Sequence, residues 1–534
     1  HKGRSKRARK PKTKKRKKQK RSLGDPAMIF LSFIVLCLLL ILIKIFHKLW
    51  WIPYRMQYLM GLQGIKGPSY IFIHGSTKEI SRMRIEAMAT PLGLSHAIFS
   101  KVQPHIDFWL NRYGKVYLQW IGARAELVVA DQELIKEILN NKDGAFQKSD
   151  IQSFLKKIFG DGLLSTNGEK WADLRKLANC AFHGESLKGM FPAMISTVEM
   201  MLESWKSYEG KEVEVFQEFR LLTSEVISRT AFGSSYMKGK DIFEMLTKLT
   251  SIASENLHKV RFPGLSKFLK TGAEIESEML EKRIRNCIIE IIKEREQNVT
   301  SCEDSSFGAD YLGLLLKAHH DANDSQRISV DDLVDECKTF YVAGQETTNS
   351  LLAWTVFLLA IHPDWQEEVR KEVLSLFGHE NPNPEGIAKL KTMGMVFNES
   401  LRLYPPIIGI MRKVGREIRL GNLILPANLN LFISPLPLHH DPQIWGEDVH
   451  QFKPERFSEG VAEATKNNPA AFFPFGMGPR HCVGNKFAIT QAKIAFSMIL
   501  QRYTFTLSPA YVHSPFQFST LNPRHGIQVI LQPL

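Results

Sequence analysis

Residues 473–488 read FPFGMGPRHCVGNKFA, and the meaning of the whole chain turns on the cysteine inside this stretch, Cys482. Glycines stand around it at Gly476, Gly478 and Gly484, and a run of helical character, Phe487 to Leu500, follows. Glycine lets a backbone turn tightly and come close to a flat ligand. A thiolate ahead of a helix gains from the helix dipole and from N–H groups that lack partners. The same N–H groups limit how much charge the sulfur gives to a metal. Arg480, two residues before the cysteine, can reach an anionic group beside the same ligand. One sulfur, a shielded loop and a cation for a propionate are what a thiolate-ligated haem requires. The plainer reading is a buried free cysteine in a Gly-rich turn, the common fate of a single thiol.

The 534 residues suffice for one large domain or several, and for a large core. Apolar residues (44 %) and charged residues (23 %) are in ordinary globular proportion. The net charge of +15 is unevenly placed: residues 1–27 hold 14 Lys and Arg against one acid, Asp25, and the rest of the chain carries +2. The body is nearly neutral, and a nucleic-acid partner is not expected. The six cysteines, Cys37, Cys180, Cys287, Cys302, Cys337 and Cys482, form no C-x-x-C pair and no zinc spacing, which suits free thiols in a reducing compartment. The sequons at Asn298 and Asn323 are expected to be unused.

Residues 1–27 form a basic tail that cannot fold alone. Met28 heads an apolar run, where an initiator is expected, so the tail is expected to lie outside the mature protein. Ala27 to Ile43 contains no charged residue and the apolar character continues to Trp51, so 28–51 reads as a transmembrane anchor with Trp50 and Trp51 at the interface. No small-x-small cleavage site follows it. With a start at Met28, the basic residues Lys44, Lys48, Arg55 and Lys66 lie only after the helix, which places the body in the cytosol; a retained tail favours the opposite orientation. Residues 52–68, punctuated by Pro53, Gly61, Gly64, Gly67 and Pro68, read as a hinge, and 69–534 as the globular body.

Within the body, KVYLQWIGARAELVVA (115–130) alternates and reads as a β-hairpin turning near Gly122, while most of the chain to about residue 405 reads helical. Trp171 and Arg175 are four apart, so an indole N–H and a guanidinium can address one anion. Val330 to Ala360 reads as one helix of about 46 Å, with Ser329 and Asp332 as a capping box. In its middle stands Ala343-Gly-Gln-Glu-Thr-Thr348, where Gly344 weakens the helix and a threonine hydroxyl can bond back to a carbonyl and bend it. Glu346 and Thr347 there form an acid–alcohol pair. Glu399 and Arg402 are spaced for an ion pair on an apolar helix closed by Pro405-Pro406, and Pro454-Glu-Arg-Phe457 follows Trp445-Gly446. Taken singly, each of these has a bland reading as packing, a kink or a surface pair.

The order W-x-x-x-R, A-G-x-E-T, E-x-x-R, P-E-R-F and F-x-x-G-x-R-x-C-x-G, the last met by Phe475, Gly478, Arg480, Cys482 and Gly484, resembles the cytochrome P450 family from about residue 69 to the end. The stretches 221–236, 342–373 and 521–526 resemble one non-A-type plant clan that includes cytokinin hydroxylases and enzymes oxidising brassinosteroids, gibberellins and terpenoids. The resemblance implies a mainly α fold with small β-sheets, the cytochrome P450 fold, preceded by one transmembrane helix. It implies haem b held by Cys482, with Trp171, Arg175, Arg412 and Arg480 on its propionates and Phe475 and Gly484 in the loop. Thr347 is then the residue that hydrogen-bonds dioxygen, and Glu346 the proton relay. Glu399, Arg402 and Arg456 become a buried structural triad. Ala343, Ile407, Ile408, Ile410 and Phe518 become pocket walls.

The expected activity is insertion of one oxygen atom from O2 into an apolar small molecule. The electrons are expected from NADPH through NADPH–cytochrome P450 reductase, since the chain carries no flavin or dinucleotide fingerprint. Lys176 and Lys486 are expected to meet that partner. The expected location is the endoplasmic reticulum membrane, single-pass, with the body in the cytosol. Two rivals are a haem enzyme that rearranges peroxides without a reductase and a non-enzymatic haem-binding membrane protein. The Glu346–Thr347 pair speaks against the first.

Overall fold

The computed structural model describes residues 1, 3, 26–90, 92–150, 153–234, 236–256, 270–301, 307–322 and 327–534. Most of the basic tail (residues 2 and 4–25), Cys302 and the Asn323 sequon lie outside the described residues. The chain is mainly helical with four small sheets. Val330–Ile361 is the longest helix of the body and runs through its core. Ser329 and Asp332 cap it reciprocally, as the sequence predicts. From Leu333 onward it is buried nearly all round, and such a helix must be covered on every side. Val215–Phe232 covers one side, with the Phe232 and Tyr341 rings stacked at 4.2 Å. A Cβ on Gly344 would run into the Ile227 side chain, so this glycine lets the two helices approach as well as softening the longer one.

The predicted hairpin is present: Val116–Ile121 pairs antiparallel with Arg124–Val129 around Gly122. It continues into a five-stranded sheet with Asn430–Ile433, Ile410–Val414 and the two-residue edge strand Phe146–Gln147, in that order. Arg124–Val129 and Asn430–Ile433 run parallel; the other pairs are antiparallel. The edge pairing matters for the site. Gln147 lies opposite Lys413, so the next residue, Lys148, is brought alongside Arg412. A second apolar core lies around this sheet, distinct from the larger helical one.

At the N-terminus, Met28–Leu62 is one continuous helical stretch of 35 residues, apolar enough to cross a membrane, with mean hydropathy 3.1 in its best window and none of that window buried. It comprises Pro26–Phe46, a five-residue π-helical segment His47–Trp51, and Ile52–Leu62. The hinge expected at 52–68 is therefore helical as far as Leu62. Pro53 falls in the first turn of the last segment, directly after the π-helical turn, which accommodates its missing N–H. The chain leaves helical geometry only at Gln63, and Gly64, with φ 79°, makes the bend. Met60 is fully buried against the sheet core, and Gln63 exchanges hydrogen bonds with Ile424, 2.6 Å from the Ile424 N–H and 3.0 Å to its carbonyl.

Candidate functional site

The Cys482 loop is closed by its own backbone. The Cys482 N–H donates to the Phe475 carbonyl at 2.8 Å and the Gly476 N–H to Phe473 at 2.9 Å. Gly476 and Gly478 take φ 71° and 70°, the left-handed region. A side chain on Gly478 would also collide with the Leu139 carbonyl, so the loop can lie against the helix Gln132–Asn140 only because that position is bare. Gly484 caps the helix Asn485–Leu500, which agrees with the predicted run. Its N–H bonds to the Cys482 sulfur and, with the Arg175 charge, opposes the upward push that burial gives the thiol. The Cys482 side chain is nevertheless accessible. Accessible and yet desolvated, the sulfur faces a chamber inside the fold and not the outer surface.

Phe487, on the helix after the cysteine, meets Phe182 edge-on at 5.4 Å, and Phe182 stacks on Phe340 at 5.1 Å. This aromatic chain fixes the cysteine helix against the long helix, three residues ahead of Ala343. From Glu336 to Ala360 every residue of the long helix is buried except Ala343, Gly344, Glu346 and Thr347. The accessible face of this helix is thus made by the residues the motif singles out. Thr347 Oγ1 donates back to the Ala343 carbonyl at 2.7 Å, the back-bond expected of it. The Glu346 carboxyl accepts from the Ser519 hydroxyl at 2.6 Å, and burial raises its pKa above the usual carboxylate range.

Beside the loop lies a cluster of cations with no carboxylate to answer it. Arg480 lies over the Trp171 ring, 4.5 Å from its centroid, and donates to the Thr166 carbonyl and Asn167 Oδ1, both at 2.9 Å. Its Nη1 is buried and has no hydrogen-bond partner. Arg412 is buried and donates to its neighbour's carbonyl, Met411, at 3.0 Å. Lys148 arrives through the edge strand. Burial, with Arg412 and Arg480 close by, lowers its amine to about 7. Burial and mutual repulsion likewise lower Arg412 and Arg480 to about 10. Arg175 donates to the His481 carbonyl at 2.6 Å. Trp171 and Arg175 therefore do not point at a single atom: one supports Arg480 and the other clamps the cysteine loop. Among the described residues none of these four cations makes an ion pair. A buried positive cluster with an orphaned N–H is stable only against an anion. A dianionic, flat, metal-bearing group such as haem fits it, its carboxylates on the cations and its metal on the sulfur. Lys148 is the member that the sequence reading missed; nothing local marks it, because strand pairing across the chain puts it there.

Behind the loop, Glu399 takes both arms of Arg402, at 2.7 and 2.8 Å, and both groups are fully buried. Arg402 also donates to the His439 carbonyl at 2.9 Å and lies over the Trp445 ring. Arg456 approaches Glu399 only to 3.5 Å. Its hydrogen bonds go to Asp448 Oδ1 at 2.6 Å and to the Trp445 and Asp448 carbonyls. The expected triad is in fact a group of four, since Asp448, held down to about 2 by Lys453 and Arg456, supplies the second carboxylate. Of the expected pocket walls, Ala343 is accessible and Ile407 is 38 % exposed. Phe518 is half-buried in the C-terminal hairpin, and Ile410 packs on the sheet core. Ile408 is buried among the helical core, its carbonyl holding the Gln103 amide at 2.8 Å, so it supports the wall from behind.

A mainly helical body, a glycine-built thiol loop and an unanswered cation cluster beside it define a haem-thiolate protein. A family model described as cytochrome P450 matches residues 100–531, and the chain belongs to the cytochrome P450 family. It is 57 % identical over 506 residues to cytochrome P450 CYP749A22 of Panax ginseng, covering 94 % of this chain and 96 % of that one. It is 39 % identical over 519 residues to cytochrome P450 734A1 of Arabidopsis thaliana (95 % and 97 %), and 38 % identical over 524 residues to 7-deoxyloganic acid hydroxylase of Catharanthus roseus (96 % and 100 %). The crystal structure of the cytochrome P450DA heme domain superposes with a TM-score of 0.73 at 22 % identity, over 88 % of this chain and 98 % of that one, which shows the shared fold. The chain is a P450 monooxygenase of a group represented by plant enzymes, and haem is its cofactor.

Proposed function

We propose that this monooxygenase hydroxylates an apolar plant metabolite of the hormone, terpenoid or fatty-acid type, at the endoplasmic reticulum membrane, with electrons from NADPH–cytochrome P450 reductase. The observation that carries the reading is the accessible face Ala343, Gly344, Glu346 and Thr347 on an otherwise buried helix. A polar acid–alcohol pair placed in an apolar wall has no structural use there, and proton delivery gives it one. The haem supplies, when bound, dioxygen activation and electron transfer, and a thiolate ligand favours O–O cleavage. Cys482 provides that thiolate. Arg480, Arg412 and Lys148 bind the propionates, and Arg175 holds the cysteine loop in place. Thr347 presents a hydroxyl whose resting bond to Ala343 leaves it free to turn towards the chamber. Glu346, its pKa raised by burial, is the acid placed beside that hydroxyl to pass a proton on. Ala343, Ile407 and Phe518 offer apolar contact that orients a substrate and excludes water.

The relative named for hydroxylating 7-deoxyloganic acid supports hydroxylation as the reaction type. The exposed apolar helix supports a membrane location, and Lys486, four residues after the cysteine, and Lys176, next to Arg175, are candidates for the reductase contact. The test is the carbon monoxide difference spectrum of the dithionite-reduced protein, followed by NADPH-dependent turnover with reductase. A Soret band strongly shifted to the red, lost in Cys482→Ala, is expected. A band at the position of imidazole-ligated haem, or turnover with peroxide alone and none with reductase, would overturn it.

A further inference from the structure

We propose that Ser519, in the turn of the C-terminal hairpin, is the positioning residue for the Glu346 carboxyl, and so ties proton supply to the hairpin that carries Phe518. The inference rests on the reading of Glu346 as the proton relay. Among the described residues Glu346 makes no ion pair. Ser519 Oγ donates to its Oε2 at 2.6 Å, and Thr520 Oγ1 lies 3.4 Å from the same oxygen. Thr520 has a nearer acceptor, Asn522 Oδ1 at 2.8 Å. A hydroxyl has one proton to give, so Thr520 gives it to Asn522 and Ser519 is the donor that holds the carboxyl. The charged group facing Glu346 from the helix Val215–Phe232 is Arg220, whose Nη2 is bonded to Thr247 Oγ1 at 3.0 Å.

The hairpin that carries Ser519 is pinned at its ends and not at its tip. Strands Pro515–Gln517 and Leu521–Pro523 pair over three residues each. The Leu521 carbonyl accepts from Ser350 Oγ at 2.7 Å and Trp354 Nε1 at 2.9 Å, both on the long helix, and the Leu521 N–H donates to Pro406 at 2.9 Å. Arg84 holds the Gln517 carbonyl at 3.3 Å. Between these anchors the turn 518–520 is closed by the Phe518 N–H on the Thr520 carbonyl at 2.9 Å. Through this closed turn, a molecule that presses on Phe518 would bear on Ser519 and change how Glu346 is held.

The experiment uses the full chain loaded with haem. The carboxylic C=O stretch of Glu346 is identified by infrared difference against Glu346→Gln, and its intensity is followed with pH. A hydrogen bond donated to the ionised carboxylate lowers its pKa, so Ser519→Ala should move the titration midpoint up by about one pH unit, a tenfold change in protonation constant. Ser519→Thr, which keeps the hydroxyl, should restore the midpoint, and Thr520→Val should leave it in place. A midpoint unchanged in Ser519→Ala, or moved equally by Thr520→Val, overturns the proposal. The carbon monoxide spectrum of each sample separates this from failure of the underlying reading. A normal red-shifted band with an unmoved midpoint sinks Ser519 alone, while loss of that band in the unaltered protein sinks both.

Discussion

Lys148 carries an amine lowered to about 7, first by burial and then by the two guanidiniums, Arg412 and Arg480, that share its surroundings. Propionates placed among these cations would return the amine towards its ordinary value near about 10.4. Haem binding then takes up a proton above pH 7, and a process that takes up protons weakens as pH rises. Haem affinity should therefore fall as pH goes from 7 towards 10, and Lys148→Met should flatten that slope and release haem several-fold faster to apomyoglobin. Unchanged release at pH 7 would mean that Lys148 is a bystander. At this scale the sequence was readable wherever chemistry is local. The cysteine loop needs glycine at fixed offsets to reach φ 71° and 70°, and fixed offsets are visible in a string of letters. Lys148 and Asp448 had no such mark. One is placed by strand pairing and the other by competition for Arg456, and both follow from contacts between distant parts of the chain.

The long helix shows how much one element decides. Its bounds were legible to within one residue, since a capping box and a His-Pro exit are local signals. The reason for Gly344 was only half legible. Its softness is an intrinsic property, whereas the close approach of Ile227 belongs to a neighbouring helix. Gly344→Val forces methyl groups into that contact and should cost about 1–3 kcal/mol as overpacking, read as a lower denaturant midpoint together with loss of the carbon monoxide band. The stretch 52–62 was misread as a hinge because Pro53 and Gly61 look like punctuation. A proline in a helix's first turn is compatible with the helix, and Met60 gains enough by burial to hold the segment in place.

For the molecule as a whole, the order of five motifs carried the fold, while the sheet order could not be read, since its parallel pair joins Arg124–Val129 to Asn430–Ile433. The division between anchor and body also differs from the sequence view: the body includes the end of the anchor helix. A protein shortened to begin at residue 47, which keeps Leu49, Gln57 and Met60, should unfold at the same denaturant concentration as the full chain. One beginning at residue 64 loses Met60 from the sheet core and should be weaker by about 2–5 kcal/mol, the usual cost of emptying such a site. Equal midpoints for the two would show that the segment is merely attached. The same joint has a further consequence. Tyr70 donates its hydroxyl proton to the Leu49 carbonyl and its N–H to Gln57 Oε1 at 2.9 Å, so the body grips the helix at several heights. A loose tether would let the body tumble over the bilayer like a float on a string. With the helix set in a bilayer, this joint would pass the direction of the membrane normal on to the body as a fixed bearing, and a compound diffusing in the lipid would meet the protein at one constant aspect, in a search of two dimensions.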